Sequence, residues 1–262
     1  MRNRFVRERE QGFELMSIQV ARSGLSHERS ECSGRIPPGV RAVLFDAVGT
    51  IMFPNPPVEV VYASYGQRHG SRRTEAEVKE RFARIFAAEE ERDRETGHSS
   101  SESREWQRWS SIVRFVLDDL ELPERCFQEI HTHFGRPESW RAAKDIARVL
   151  GEIQSRGLIL GVASNFDHRL DQVVAGMPEL ASLDKVYISS VLGWKKPAPE
   201  FFDSICRDLN LAPREILFIG DDPRNDFEGA TRFGMSALLL DPAGRQDLPA
   251  DQRLVSLADL LD

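Results

Sequence analysis

The sequence predicts an α/β protein, a Rossmann-like doubly wound parallel sheet with an α-helical segment inserted after its first strand. Three observations carry that expectation. Residues Arg41-Ala42-Val43-Leu44-Phe45-Asp46-Ala47-Val48-Gly49-Thr50 form a short apolar run that ends in a carboxylate and a small-residue turn. Such a run reads as a buried parallel strand that delivers Asp46 to the carboxyl edge of the sheet, where open α/β folds bind ligands. From residue 140 onward, apolar strand-like runs alternate with helical patterns, as a parallel sheet covered on both faces requires. Between these two regions, residues 56–136 show helical periodicity alone. The expected division is an extension over residues 1–40, an α/β core over 41–55 and 137–262, and a helical insertion over 56–136.

Taken in order, residues 1–40 carry seven Arg, five Glu and neither Lys nor Asp, a balance of +2 that leaves −9 for the rest of a chain whose net charge is −7. No sustained period emerges there, so a loosely ordered extension is expected. Arg and Glu alternate where a secretory signal would place its apolar core. Residues 52–57 include three prolines and read as a stiff linker. Helices are expected over 58–69, 75–94, 102–120 and 123–134, with Pro123 at a helix start. Trp106, Trp109, Ile112, Val113, Val116, Leu117 and Leu120 make an aromatic and aliphatic stripe that reads as bundle core rather than ligand pocket. The end of the second helix runs into charge expected to face solvent. The core then alternates: helix 144–156, strand 158–163, helix 168–174 with Asp167 as cap, strand 186–188, helix 199–209, strand 216–219, helix 226–233, strand 235–240 and a closing helix over 254–261.

Composition narrows the function classes. At 262 residues and 40% hydrophobic, the chain holds a sizeable core, and no apolar run approaches the ~20 residues that span a membrane. Cys32, Cys126 and Cys206 are scattered, which fits a reducing, cytoplasmic setting better than a disulfide scaffold. The acidic balance argues against general nucleic-acid binding and suits a site that recruits a cation. A small-molecule substrate, no membrane or nucleic-acid partner, and a monomer or weak homodimer are expected.

Three further stretches follow Asp46 in order: Val162-Ala163-Ser164-Asn165, Gly193-Trp194-Lys195-Lys196-Pro197, and Ile219-Gly220-Asp221-Asp222-Pro223-Arg224-Asn225-Asp226. Each alone has an ordinary reading, a strand-end Ser or Asp capping the next turn. As an ordered quartet with Asp46 they resemble the four motifs of the haloacid dehalogenase superfamily. The resemblance covers residue 41 to the C-terminus, least specifically in the insertion, which corresponds to that superfamily's helical cap. Residues 164–170 and 193–197 look most like its haloacid dehalogenase-like hydrolase domain-containing protein 3 group.

The resemblance implies a hydrolase, most readily a phosphatase, in which Asp46 is the nucleophile and forms an aspartyl-phosphate. Ser164 and the backbone beyond it at Asn165 would bind the phosphoryl oxygens, and Lys196 would neutralise the charge. Lys196 is selected over Lys195 because the family's Lys directly precedes the Pro; Lys195 is expected in solvent. Mg²⁺ would be held by Asp46, Asp221 and the Val48 carbonyl, with Asp226 of the same acidic cluster as a further metal residue, whereas Asp222 is first choice for a helix cap.

One position departs from the pattern. Phosphatases of the superfamily usually carry a second Asp two residues after the nucleophile, as general acid and base, and here that residue is Val48. Three readings follow: a slow or specialised phosphatase that works on good leaving groups or borrows a proton donor from the cap, a 2-haloacid dehalogenase, or a phosphate-binding, regulatory scaffold. The acidic loop opposes the dehalogenase, since each carboxylate would repel an anionic haloacid. A phosphonate-cleaving variant would want a cap lysine, and Lys79, the only Lys in the insertion, sits among charges as if solvated.

Overall fold

The computed structural model describes residues 34–262. In chain order the elements begin with β1 (Ala42–Phe45), β2 (Met52–Pro54), α1 (Val58–Arg68), α2 (Glu75–Glu95), α3 (Glu102–Val116), α4 (Pro123–His133) and β3 (Trp140–Ala142). There follow α5 (Ile146–Ser155), β4 (Ile159–Ser164), α6 (Arg169–Ala175), β5 (Lys185–Ile188), α7 (Ser189–Leu192), α8 (Pro199–Leu209), β6 (Ile216–Gly220), α9 (Gly229–Phe233), β7 (Ser236–Leu240) and β8 (Arg253–Leu254).

All four residues of β1 are buried, so the strand must lie inside a sheet with both faces covered. The six-stranded sheet has the order β5-β4-β1-β6-β7-β8, and every pairing in it is parallel. Successive side chains of a strand point to opposite faces. Ala42 and Leu44 therefore join Phe218 and the α8 residues Phe201, Phe202 and Ile205 on one face. Val43 and Phe45 join Val162, Ile219 and the α5 residues Val149, Leu150 and Ile153 on the other. The register sets Phe45 opposite Val162 and Ile219, which brings the carboxyl ends of β4, β1 and β6 to one edge.

Residues 58–133 contribute four helices and no strand, as the periodicity predicted. Their own apolar cluster includes Tyr62, Val78, Ile112, Val113, Val116, Phe127 and Ile130. Thr74 and Ser101 cap α2 and α3 by accepting from Glu77 and Arg104 amides. Trp106, expected on the buried stripe, is 45% exposed, because it lies at the rim against Phe127 and His131. The expected stiff linker is instead paired: Met52 opposes Ala142 and Pro54 opposes Trp140, an antiparallel ribbon that carries the chain out of the sheet and back.

Three further expectations change. The core begins before residue 41, since Ile36 and Val40 are buried in the main cluster and Arg35 donates to the Ala250 and Arg253 carbonyls. The rest of the expected extension lies outside the described residues. The acidic loop enters one π-helical turn over Pro223–Glu228 before α9. The closing helix is a short strand followed by a single 3-10 turn at Leu257–Leu260. Among the described residues no helix is long and apolar enough to cross a membrane.

The largest correction concerns charge where the insertion meets the sheet. Glu89 and Asp93, expected to face solvent at the end of α2, are buried, and so is Lys195. Residues 98–100 and 193–195 pair as a short bridge, with the Lys195 amide donating to the His98 carbonyl at 2.8 Å and the Ser100 amide to the Gly193 carbonyl at 2.8 Å. That pairing turns the Lys195 side chain into the insertion, where its ammonium meets Asp93 at 2.9 Å and Glu105 at 2.7 Å. Asp93 also accepts from Arg104 and Arg108. A second tie runs from Glu102 to the His168 amide, the His168 ring and the Ser190 hydroxyl.

Removing one member of such a buried group leaves its partners uncompensated, a cost of about 3–5 kcal/mol. Asp93→Ala is expected to fall near the lower end, about 3 kcal/mol, because Glu105 still meets Lys195. Urea denaturation checks it; a midpoint equal to that of the unaltered chain would show that the network contributes nothing.

Candidate active site

Asp46 lies one residue beyond β1, yet its amide still donates to the Ile219 carbonyl at 2.7 Å, so the nucleophile candidate is held by the sheet ladder itself. Its Oδ1 accepts from Ser164 Oγ at 3.1 Å and from Lys196 Nζ at 2.6 Å. Ser164 is the last residue of β4, the strand beside β1. Lys196 follows a left-handed turn at Gly193, and both ends of the Asn165 amide grip its main chain, at 2.8 Å to the nitrogen and 3.0 Å from the carbonyl.

The Lys196 ammonium is buried and spends its three donors on Asp46, Asp226 at 2.7 Å and the Ala163 carbonyl at 2.9 Å. Burial alone would push its pKa down, but Asp226 and Asp46 outweigh that and hold it above the usual lysine range.

The acidic loop after β6 completes the edge. Asp46, Asp221 and Asp226 each place a carboxylate oxygen within 4.8 Å of the others. Two glycines make this approach possible. Gly49 has φ +99°, and a Cβ there would lie 2.4 Å from an Asp221 oxygen; one at Gly220 would lie 2.1 Å from an Asp226 oxygen. Thr50 Oγ1 donates to Asp221 at 3.2 Å, and the Asp222 amide to Asp226 at 3.1 Å. Asp222 itself accepts from the Arg224 and Asn225 amides at 2.8 and 2.9 Å, the capping role expected of it.

Three carboxylates thus face one ammonium. Burial and then Asp46 push Asp221 up to about 6. Burial pushes Asp226 up to about 7, against the opposing pull of Lys196.

Every residue predicted for the site therefore arrives at one edge: Asp46, Val48, Ser164, Asn165, Lys196, Asp221 and Asp226 all line one cavity of about 550 Å³. Val48 stands there without a carboxyl group. Sequence reasoning missed the opposite wall, formed from the insertion by Tyr62, Phe82, Phe86, Trp109, Phe127 and Phe134. Phe82 and Phe86 stack at 5.8 Å, and Tyr62 meets Phe82 edge-on at 5.5 Å. Of these six only Trp109 belongs to the stripe assigned to bundle core; the others come from the remaining helical patterns of the insertion. Thr50 was also missed; nothing in a turn threonine distinguishes it until Asp221 is placed beside it.

The sequence pattern of the haloacid dehalogenase-like hydrolases matches residues 40–234. Haloacid dehalogenase-like hydrolase domain-containing protein 3 of Homo sapiens is 27% identical over 234 residues, 85% of this chain and 92% of that protein. Among solved structures, a HAD phosphatase from Thermococcus onnurineus is similar with a TM-score of 0.60 and 24% identity, over 84% of this chain and 96% of its own. L-2-haloacid dehalogenase from Xanthobacter autotrophicus superposes with a TM-score of 0.67 and 20% identity, over 85% and 97%. With its parallel sheet, its strand-end Asp46, Ser164 and Lys196 and its acidic loop, the chain belongs to the haloacid dehalogenase-like hydrolase family.

Proposed function

We propose that the protein is a Mg²⁺-dependent phosphatase acting on a small phosphorylated molecule through an aspartyl-phosphate on Asp46. The observation that carries this reading is the set of three carboxylates within 4.8 Å, two of which share one ammonium. So much negative charge in one place suits a hard divalent cation and repels an anionic haloacid, although dehalogenases share the fold.

The donor set fits Mg²⁺. Asp46 keeps one oxygen, Oδ2, with no hydrogen-bond partner among the described residues, and Asp221 opens into the cavity with Thr50 on its other oxygen. These two carboxylates and the Val48 carbonyl would hold the ion. Asp226 belongs to the cluster, but both its oxygens already accept, from Lys196 and the Asp222 amide, so its first role is to orient the lysine. When bound, Mg²⁺ screens phosphoryl charge and lets an anionic ester approach carboxylates.

The chain's own residues do the rest. Asp46 supplies the attacking carboxylate, whose orientation Ser164 and Lys196 fix through Oδ1. Lys196, unable to rotate away from three acceptors, neutralises charge on the nucleophile and the transferring group. Asn165 holds the Lys196 main chain, so its part in binding substrate falls to its backbone N–H. Val48 offers no proton to the leaving group. That deficit favours a second reading, a phosphate-binding scaffold with impaired turnover.

Two expected outcomes separate these readings. A carboxylate whose folded pKa lies above its unfolded value favours the folded state while protonated, and that advantage is lost as pH rises. The metal-free protein should therefore lose stability from Asp221 and Asp226 between about pH 4 and 7, and Mg²⁺, which needs the ionised set, should restore it. At 100 times its Kd, Mg²⁺ contributes about 2.7 kcal/mol, roughly a 5–10 °C rise in Tm at pH 7.5 that shrinks toward pH 5 and vanishes in Asp221→Ala. Thermal unfolding at the two pH values measures this, and a rise independent of pH or of Asp221 would rule out the assigned site.

In steady-state assays Asp46→Asn should abolish turnover. Val48→Asp should raise kcat on alkyl phosphates by about 10²-fold, the lower end of general acid–base catalysis, while sparing the Mg²⁺ requirement. A folded, Mg²⁺-binding Val48→Asp protein with no gain on any ester would leave the scaffold reading in place.

A further inference from the structure

Two independent features of the cavity restrict the alcohol side of the ester. The first is the chemistry of its floor. With Val48 in place of a carboxylic acid, the oxygen that leaves phosphorus must depart without a proton from that position. The remaining acids that face the cavity from the insertion are mostly committed: Asp93 meets Lys195, Arg104 and Arg108, and Glu105 meets Lys195. His131 is held down to about 4 by burial and by Arg169, and burial also lowers His98, so both are neutral and have no proton to give near pH 7. Glu90 alone lines the cavity from the insertion as a carboxyl with no hydrogen bond or ion pair among the described residues.

The second feature is the opposite wall. Six aromatic side chains line it, and several already contact one another edge-on or stacked, a surface that matches a flat apolar group. The cationic side chains that the insertion turns to the cavity are paired, Arg94 with Glu91 and Arg108 with Asp93. On that wall a second anionic group would find no uncommitted cation among the described residues; the acidic-loop Arg224, elsewhere in the cavity, has no ion pair among them.

We infer that the substrate is a phosphate monoester of an aromatic alcohol, an aryl phosphate, whose ring packs on the Phe82–Phe86–Trp109 wall. This rests on the phosphatase reading and extends it to a substrate class. A phenoxide leaves far more readily than an alkoxide, with a conjugate-acid pKa of about 10 against about 16, so one choice of substrate answers both the missing acid and the aromatic wall. In the first step Asp46 forms a bond to phosphorus as the P–O(aryl) bond breaks, and the electron pair leaves on the phenoxide, which takes its proton from water. In the second step water attacks the acyl-phosphate, returning the Asp46 carboxylate and releasing inorganic phosphate.

The test compares kcat/KM with Mg²⁺ for acetyl phosphate, phenyl phosphate, 2-naphthyl phosphate, cyclohexyl phosphate and phosphoserine. Phenyl phosphate is expected to exceed the similarly sized cyclohexyl ester by at least ~10²-fold, the worth of an absent general acid. 2-Naphthyl phosphate should exceed phenyl phosphate, and Phe86→Ala should cost 2-naphthyl phosphate roughly 3–10-fold more than acetyl phosphate. Acetyl phosphate, small and activated, reads out the phosphatase alone. If it turns over in an Asp46-dependent way while the phenyl and cyclohexyl esters are equal, or phosphoserine is preferred, the aryl inference is overturned and the phosphatase stands. Efficient cyclohexyl turnover that is lost in Glu90→Gln would overturn it too, by showing a proton donor on α2. No Asp46-dependent turnover of acetyl phosphate would remove both.

Discussion

The Lys196 ammonium sits where β4, β1 and β6 end, and the arrangement of that edge depends on its charge. Three carboxylates with oxygens within 4.8 Å of one another repel by about 3 kcal/mol per pair at an effective dielectric of ~20. One cation hydrogen-bonded to two of them offsets much of that cost, and the Ala163 carbonyl ties the same cation to the sheet. Gly49 and Gly220 let Asp221 and Asp226 come close; Lys196 makes their closeness tolerable. Sequence, backbone shape and electrostatics meet at this point.

Fold alone does not choose between the chemistries that this family hosts. A dehalogenase and a phosphatase both superpose on this fold. Charge decides more than topology does. A surplus of buried negative charge suits a metal ion and a phosphoryl group, and in the phosphatase proposed above the aromatic wall of the insertion would face whatever the phosphoryl group carries.

Much of this was legible in the residues. A strand buried on both faces has to be apolar throughout, so β1, β4 and β6 announced themselves, and the site residues follow directly from where those strands stop. Pro199 and Pro123 marked two helix starts correctly. What escaped was anything decided by partners distant in sequence. Lys195 looks like a surface lysine until Asp93 and Glu105, about a hundred residues earlier, are folded against it. The closing helix failed because its apolar residues, Leu254, Leu257 and Leu260, serve a short edge strand and a single tight turn instead. Trp109 and Phe127 show a different limit, since periodicity marks an apolar face without saying whether it meets protein or a ligand.

Lys195 and Lys196 are adjacent, yet one is anchored in the insertion and the other at Asp46. The two lobes around the cavity are thereby measured from a single peptide unit. The β2–β3 ribbon connects them covalently, but the gap between the aromatic wall and Asp46 is gauged at the far side, by this lysine pair. Changes in the helices can thus reshape the walls of the chamber while its reference point stays with the sheet. A chain built this way can change what its helices recognise without moving the sheet edge beneath them.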